Sequence, residues 1–395
     1  MADLFNSVFQ PLRLALLKTG DLNIAGPLAA LMLITLTFSP ANAQVIEGHY
    51  AGDESCKKCH LNIYKQYRKT GHPYKIQRLE GSPPIYPANT SPGVPHPPAD
   101  KSWDDISYVI GGFQWKARFM DNEGYILTGK ANRQYNLAND ALETEAKWSG
   151  YDAGKAPRKP YTCGGCHTTG WEPTGQAGPH QDNLPGIHGT WAAPGVTCEA
   201  CHGPGAKHVT EPKTVKLSIS ERCEDCHVRG DVNRIDAKDG LIKHHEQYED
   251  LLASPHRALK CVACHDPHKS VFNDNGGFKG AKATCLTCHK DKEVKLAKKS
   301  AFECITCHMP RAAKSAMAVQ HKFDGGAVME GDIRTHIFRI TRDPEWEMFT
   351  EDGKYVETDD DGKVFITLDR ACLSCHKKKN LDWARKNATR IHNDN

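Results

Sequence analysis

The chain has 395 residues and a nearly balanced charge, 51 Lys and Arg against 48 Asp and Glu, for a formal net charge of +3. That balance excludes the basic footprint of a nucleic-acid-binding protein, and no G-x-G-x-x-G fingerprint, phosphate-binding loop or serine elbow occurs. With 39% apolar residues against 33 Gly and 23 Pro, a large side-chain core is not expected either.

In chain order, Arg13 and Lys18 precede an apolar stretch from Ile24 to Phe38, then Ser39-Pro40 and the small-residue site Ala41-Asn42-Ala43. Residues 1–43 read as a secretory signal peptide cut near Ala43, since the apolar stretch is short for a membrane span. The mature chain is then expected in the periplasm or at the extracellular cell surface. Residues 44–162 form an N-terminal module with one C-x-x-C-H motif, Cys56, Cys59 and His60. The segment after His60 reads as a short helix stopping at Gly71, with His72 just beyond. Seven prolines over residues 81–98 predict an extended surface segment. Residues 103–130 read as strands closing on a turn at Asp121-Asn122-Glu123-Gly124, and their aromatic residues as a small core.

Residues 163–310 crowd six motifs together: Cys163, Cys166 and His167; Cys198, Cys201 and His202; Cys223, Cys226 and His227; Cys261, Cys264 and His265; Cys285, Cys288 and His289; Cys304, Cys307 and His308. The segments between them run from 14 to 33 residues, too short for independent domains. A helix is expected over residues 241–254, ended by Pro255. Residues 311–395 form a C-terminal module with the last motif, Cys372, Cys375 and His376. Two Asp-Gly turns predict a hairpin over residues 347–369, and residues 381–392 a closing helix with His392 at its end.

Eight C-x-x-C-H motifs use all sixteen cysteines. This is the attachment sequence of haem c: two thiols bond the vinyl groups and the following imidazole ligates iron. Zinc sites need no His after each second Cys, and a disulfide framework keeps no fixed two-residue spacing. Eight covalently attached haem c groups are therefore expected, with His60, His167, His202, His227, His265, His289, His308 and His376 as proximal ligands. The expected fold is mainly α and irregular, loop-rich, wrapped around a haem stack with small β-hairpins. The three modules hold one, six and one haem.

Thirteen of the 21 histidines remain for the opposite faces. His268 lies three residues after His265, a reach of about 10 Å at most, so it cannot round the porphyrin to its own iron. His208, six residues after His202, is limited in the same way. If they ligate, they ligate neighbouring haems. The other distal candidates are His72, His188 between glycines, one of His244 and His245, His256, His336 and His392, with His321 and His49 in reserve.

SCKKCHLNIYKQYRKTGH, VIGGFQWKARF, CGGCHTTGW, GVTCEACHGPGAKH, CHDPH and CHMPR together resemble the multihaem cytochromes c of anaerobic respiring bacteria. The first is similar to the opening module of the tetrahaem cytochrome family of ammonia oxidisers. The resemblance implies distal ligation by His72, His208 and His268, and mostly low-spin haems in stacked and T-shaped pairs. The same superfamily holds hydroxylamine oxidoreductase, tetrathionate reductase and haem nitrite reductases. Here all eight motifs end in His, so the C-x-x-C-K catalytic haem of the nitrite reductases is absent.

Two functions follow as expectations. The first is an electron-transfer protein with no catalytic residue, passing electrons between a quinol-oxidising membrane complex, partner cytochromes or an extracellular acceptor, as a monomer, homo-oligomer or filament. The second is an oxidoreductase acting on nitrite, hydroxylamine or tetrathionate at one open haem, with anion-binding candidates Lys207, Arg222, Arg229, Lys243, Arg311 and Arg334.

Overall fold

The computed structural model describes residues 48–272, 284–292 and 303–392. The signal peptide expected over residues 1–43 lies outside them. Val45–Asn395 forms one compact unit.

A seven-stranded antiparallel sheet dominates the N-terminal part. Its strands are β1 (Ile76–Arg78), β2 (Ile106–Gly111), β3 (Lys116–Asp121), β4 (Ile126–Leu127), β5 (Gln134–Asn136), β6 (Lys147–Ser149) and β7 (Arg158–Lys159). The β3–β4 turn forms because the Asp121 carboxylate accepts the backbone N–H groups of Glu123 (3.0 Å) and Tyr125 (2.9 Å), while Gly124 takes φ +82°. Strand alternation sends Tyr108, Ile110 and Met120 to one face, with Tyr161, Ile187 and Trp191. Val109, Ala117 and Phe119 go to the other, with Val94 and Leu127. A side-chain core thus exists on both faces of this sheet, larger than composition suggested, because aromatic residues are concentrated there.

Two short ladders follow, β8 (Thr168–Thr169) with β11 (Ala193–Pro194) and β9 (Glu172–Pro173) with β10 (Gly189–Thr190). A four-stranded sheet then runs β12 (Ala237–Lys238), β13 (Leu241–Lys243), β14 (Ala313–Phe323) and β15 (Gly326–Ile333). A bulge between Ala313 and Ala318 in β14 is held by Asp332, whose buried carboxylate accepts from the N–H groups of Ser315, Ala316 and Met317 at 2.6–2.9 Å.

Helices are few and short among the described residues, so the chain is loop-rich but not mainly α. The expected helix over 241–254 splits: Leu241 and Ile242 are buried in β13, His245 takes φ +74°, and only Gln247–Leu252 is helical. Burial in a sheet overrides local helix propensity here. The hairpin expected over 347–369 reduces to isolated bridges, Phe349 with Val356 and Ile340 with Ile366, whereas the long hairpin is β14–β15. The helix after His60 (Leu61–Tyr67) and the closing helix (Leu381–Ala388) form as expected. Among the described residues no helix is long and apolar enough to cross a membrane.

Candidate functional site

Each C-x-x-C-H motif is folded as a helical turn. Those at Cys198–His202 and Cys304–His308 are α-helical; those starting at Cys223, Cys261 and Cys285 are tighter 3₁₀ turns. The His N–H donates to the carbonyl of the first Cys at 2.9–3.0 Å in the motifs ending at His60, His227, His265, His289 and His376. An i, i+4 closure of this kind brings the first thiol and the imidazole to one side of the turn.

The imidazoles meet in pairs. Ring centres of His60 and His208 lie 6.4 Å apart, His202 and His268 6.2 Å, His72 and His227 6.4 Å, His265 and His336 6.2 Å, His256 and His289 6.0 Å, and His308 and His392 5.9 Å. Two imidazoles on opposite sides of one metal, with metal–nitrogen bonds of about 2 Å, put ring centres roughly 6 Å apart. His268 faces His202 and not His265, and His208 faces His60 and not His202. Carbonyls orient several rings: Val215 O lies 2.8 Å from His208 Nδ1, and Phe338 O 2.8 Å from His308 Nδ1. That leaves Nε2 free to point at a metal. Burial keeps these rings neutral, as ligation requires, depressing His72 and His336 to about 3 and His227 to about 4.

His167 and His376 have no such partner among the described residues. His376 is exposed, with Trp383 4.6 Å from its ring centre. His188 faces His180 at 6.1 Å instead of a motif imidazole. His167 is half-buried near cations. Its Nδ1 lies 3.2 Å from Lys75 O, and burial, with Lys75, Arg118 and Lys116 nearby, depresses it to about 4. His245 lies between His227, at 6.5 Å, and the His167 neighbourhood; His244 is 4.5 Å from it. Burial and then Lys116, His245, Arg229 and Arg118 push His244 down to about 2. The Lys116 ammonium, itself pushed down to about 7 by burial, donates to Ser315 O at 2.5 Å. The Arg118 guanidinium lies 3.5 Å over the Tyr151 ring and donates to Gln134.

Of the basic residues singled out from sequence, Arg229 alone is found beside His244. Arg222 and Lys243 pair with Asp225 and Asp236, and Arg311 and Arg334 donate to backbone carbonyls. Lys207 lies in the short helix that carries His208, Ala206–Thr210. Lys116 and Arg118 were missed; their signal was present in the VIGGFQWKARF segment, two cations on a strand otherwise buried.

The motifs also touch one another through sulfur. Cys56 hydrogen-bonds Cys198, Cys166 hydrogen-bonds Cys226, Cys223 hydrogen-bonds Cys261, and Cys285 hydrogen-bonds Cys304. Cys201 lies within electrostatic reach of Cys223 and Cys226, Cys264 of Cys285, and Cys307 of Cys372 and Cys375. The first motif therefore adjoins the third. A continuous run leads from the third to the eighth, and the second branches off the fourth. Among the described residues no three His, Cys, Asp or Glu side chains gather as a zinc site would require.

Residues 254–294 match a family described by its doubled CXXCH motif, and residues 123–203 match the family described as cytochrome c554 and c-prime. The chain is a multihaem cytochrome c. The cytochrome is 26% identical over 233 residues to the dissimilatory sulfite reductase MccA of Wolinella succinogenes, an alignment covering 45% of this chain and 32% of that protein. The solved octahaem sulfite reductase MccA of that organism shares its fold, with a TM-score of 0.58, 20% identity, and coverage of 84% of this chain and 66% of that one. The outer cell wall cytochrome OcwA is more distant, at a TM-score of 0.46 and 18% identity, over 85% of this chain and 86% of that one. The cytochrome thus spans about a third of the curated relative it matches and less than two thirds of the solved one. Its prosthetic group is haem c, and the paired imidazoles with adjoining thiol pairs fit that group.

Proposed function

We propose that the chain is an octahaem cytochrome that carries electrons between redox partners outside the cytoplasmic membrane, after export directed by residues 1–43. The observation that carries this reading is the set of six imidazole pairs at 5.9–6.4 Å. The sixteen cysteines would attach the haems and the eight motif histidines would ligate them. His208, His268, His72, His336, His256 and His392 would bind the far sides of the haems on His60, His202, His227, His265, His289 and His308. Bound haem supplies a one-electron carrier whose potential is set by its axial ligands. The chain's own contribution is spacing: the fold brings cysteines of different motifs together, so the attached haems would sit close enough for rapid exchange. Intact mass should give eight haems per chain, and N-terminal sequencing of the secreted protein should begin near Gln44. Rapid mixing with a neutral reductant should reduce nearly all haem absorbance in one continuous course. A large fraction reduced only over minutes would contradict a connected chain.

A second reading rests on a separate observation, the half-buried cations Lys116 and Arg118 near His167. There Lys116 and Arg118 would hold a small oxyanion by charge-assisted hydrogen bonds. His244 or His245, held neutral by burial, would accept or donate a proton through its ring nitrogen. The Wolinella relative is described as a sulfite reductase, so sulfite joins nitrite, hydroxylamine and tetrathionate as a substrate to test. Turnover of any of them with reduced methyl viologen, lost on Lys116→Ala, supports this reading. No turnover of all four contradicts it.

A further inference from the structure

We propose that the basic surface beside the last motif docks an electron-transfer protein with an acidic face, making the His376 end an electron port. This rests on the electron-carrying reading above. Among the described residues the eighth motif adjoins the seventh through sulfur and stands at an end of the run. Its Cys375 and His376 are exposed, as a port requires. Lys377, Lys378 and Lys379 follow directly and are exposed, and Lys386 and Arg390 are exposed on and after the closing helix. The one acid in residues 371–392 is Asp382, which Arg385 already holds at 3.0 Å. The Asp324 N–H donates to Lys379 O, which ties the β14–β15 turn, with exposed Lys322 and the exposed acid Asp324, beside the lysines. The first motif terminates the other end, but there Lys57 is neutralised by Glu54 at 2.8 Å and Asp53 stands in the same short helix.

The whole chain carries a formal +3, while residues 371–392 carry six Lys and Arg against that single acid. This end is therefore more basic than the chain as a whole. A concentrated cationic field steers an anionic partner and fixes its orientation within about 8–10 Å of contact at moderate salt. Trp383 lies between the His376 ring, at 4.6 Å, and Lys379, whose Nζ is 5.8 Å from the indole centre. A partner seated on the lysines would thus rest close to the last haem-binding turn.

The test uses the full haem-loaded protein and two reductants, an acidic flavodoxin hydroquinone and neutral photoreduced deazariboflavin. The readout is the ratio of their second-order reduction rates at low salt. Lys377→Glu/Lys378→Glu/Lys379→Glu should lower that ratio about tenfold and flatten its salt dependence. Lys386→Glu/Arg390→Glu, away from the haem motif, should lower it in the same direction. Lys58→Glu/Lys65→Glu at the opposite end should leave it unchanged. An unchanged ratio in both C-terminal variants, an equal fall in the N-terminal variant, or a wild-type protein that accepts electrons from deazariboflavin but not from flavodoxin would overturn the docking site. A wild-type protein reduced by neither would strike instead at the electron-carrying reading.

Discussion

The imidazole of Cys198–His202 and that of Gly164–His167 sit on similar helical turns but meet different surroundings. His202 faces another ring, stacked to within 8°. His167 lies within electrostatic reach of Lys116 and Arg118, which also act on His244. The motif alone prepares a haem site; what the rest of the chain delivers to the far side decides whether that site is closed for conduction or left for a ligand. On the paired side each far-side imidazole comes from another part of the chain: His268 follows the fifth motif yet faces His202 of the third, and His208 follows the third yet faces His60 of the first. On the His167 side the chain brings in strand β3 and the strained turn at His245 instead.

The sharpest way to break this contrast is to remove one imidazole from each side. His268→Ala should keep eight haems and convert one low-spin haem to high spin, while His244→Ala should leave the low-spin signals intact. Low-temperature EPR reads both, and an unchanged spectrum for His268→Ala would refute the His202 pairing. His268→Met should give a milder change, a raised potential at one haem, because thioether ligation favours the reduced state.

A smaller effect is expected at the cations near His167. Lys116→Ala should weaken binding of an oxyanion about tenfold or more, the scale of a lost charge-assisted hydrogen bond. Burial lowers the Lys116 ammonium from 10.5 to about 7, so its charge is present below that pH and lost above it. Anion affinity in the wild type should therefore fall as pH rises through about 7, and Lys116→Arg should flatten the profile. The unfolded lysine keeps its proton up to 10.5, so this group makes folding stability rise between about pH 7 and 10.5.

The smallest effect concerns the support of a paired ring. Asp250 is buried, accepts from the Thr335 hydroxyl at 2.5 Å and the His336 N–H at 2.8 Å, and burial pushes it up to about 7. The folded state then binds more protons than the unfolded one between 3.8 and about 7, so stability from this group falls as pH rises through that window. Asp250→Asn should remove that slope from thermal midpoints measured from pH 4 to 7.

Much of the site is written in local sequence. The eight motifs are contiguous pentapeptides whose helical turns need nothing distant, and the reach limit on His268 follows from three residues of chain. The cationic cluster near His167 was not legible, because Lys116 and Arg118 lie far before their motif in sequence, on strand β3. The strand Leu241–Lys243 was hidden for a similar reason: its partner β14 begins seventy residues later. The β14–β15 hairpin did carry a local signal, Asp324-Gly325, but the alternation in AKSAMAVQHKF is too weakly apolar to stand out.

EPR of the oxidised, fully loaded protein, recorded with and without sulfite or nitrite, tests the central contrast most directly. Low-spin signals from the paired haems together with a high-spin component altered by the anion are the predicted result. A wholly low-spin spectrum indifferent to both anions would contradict it.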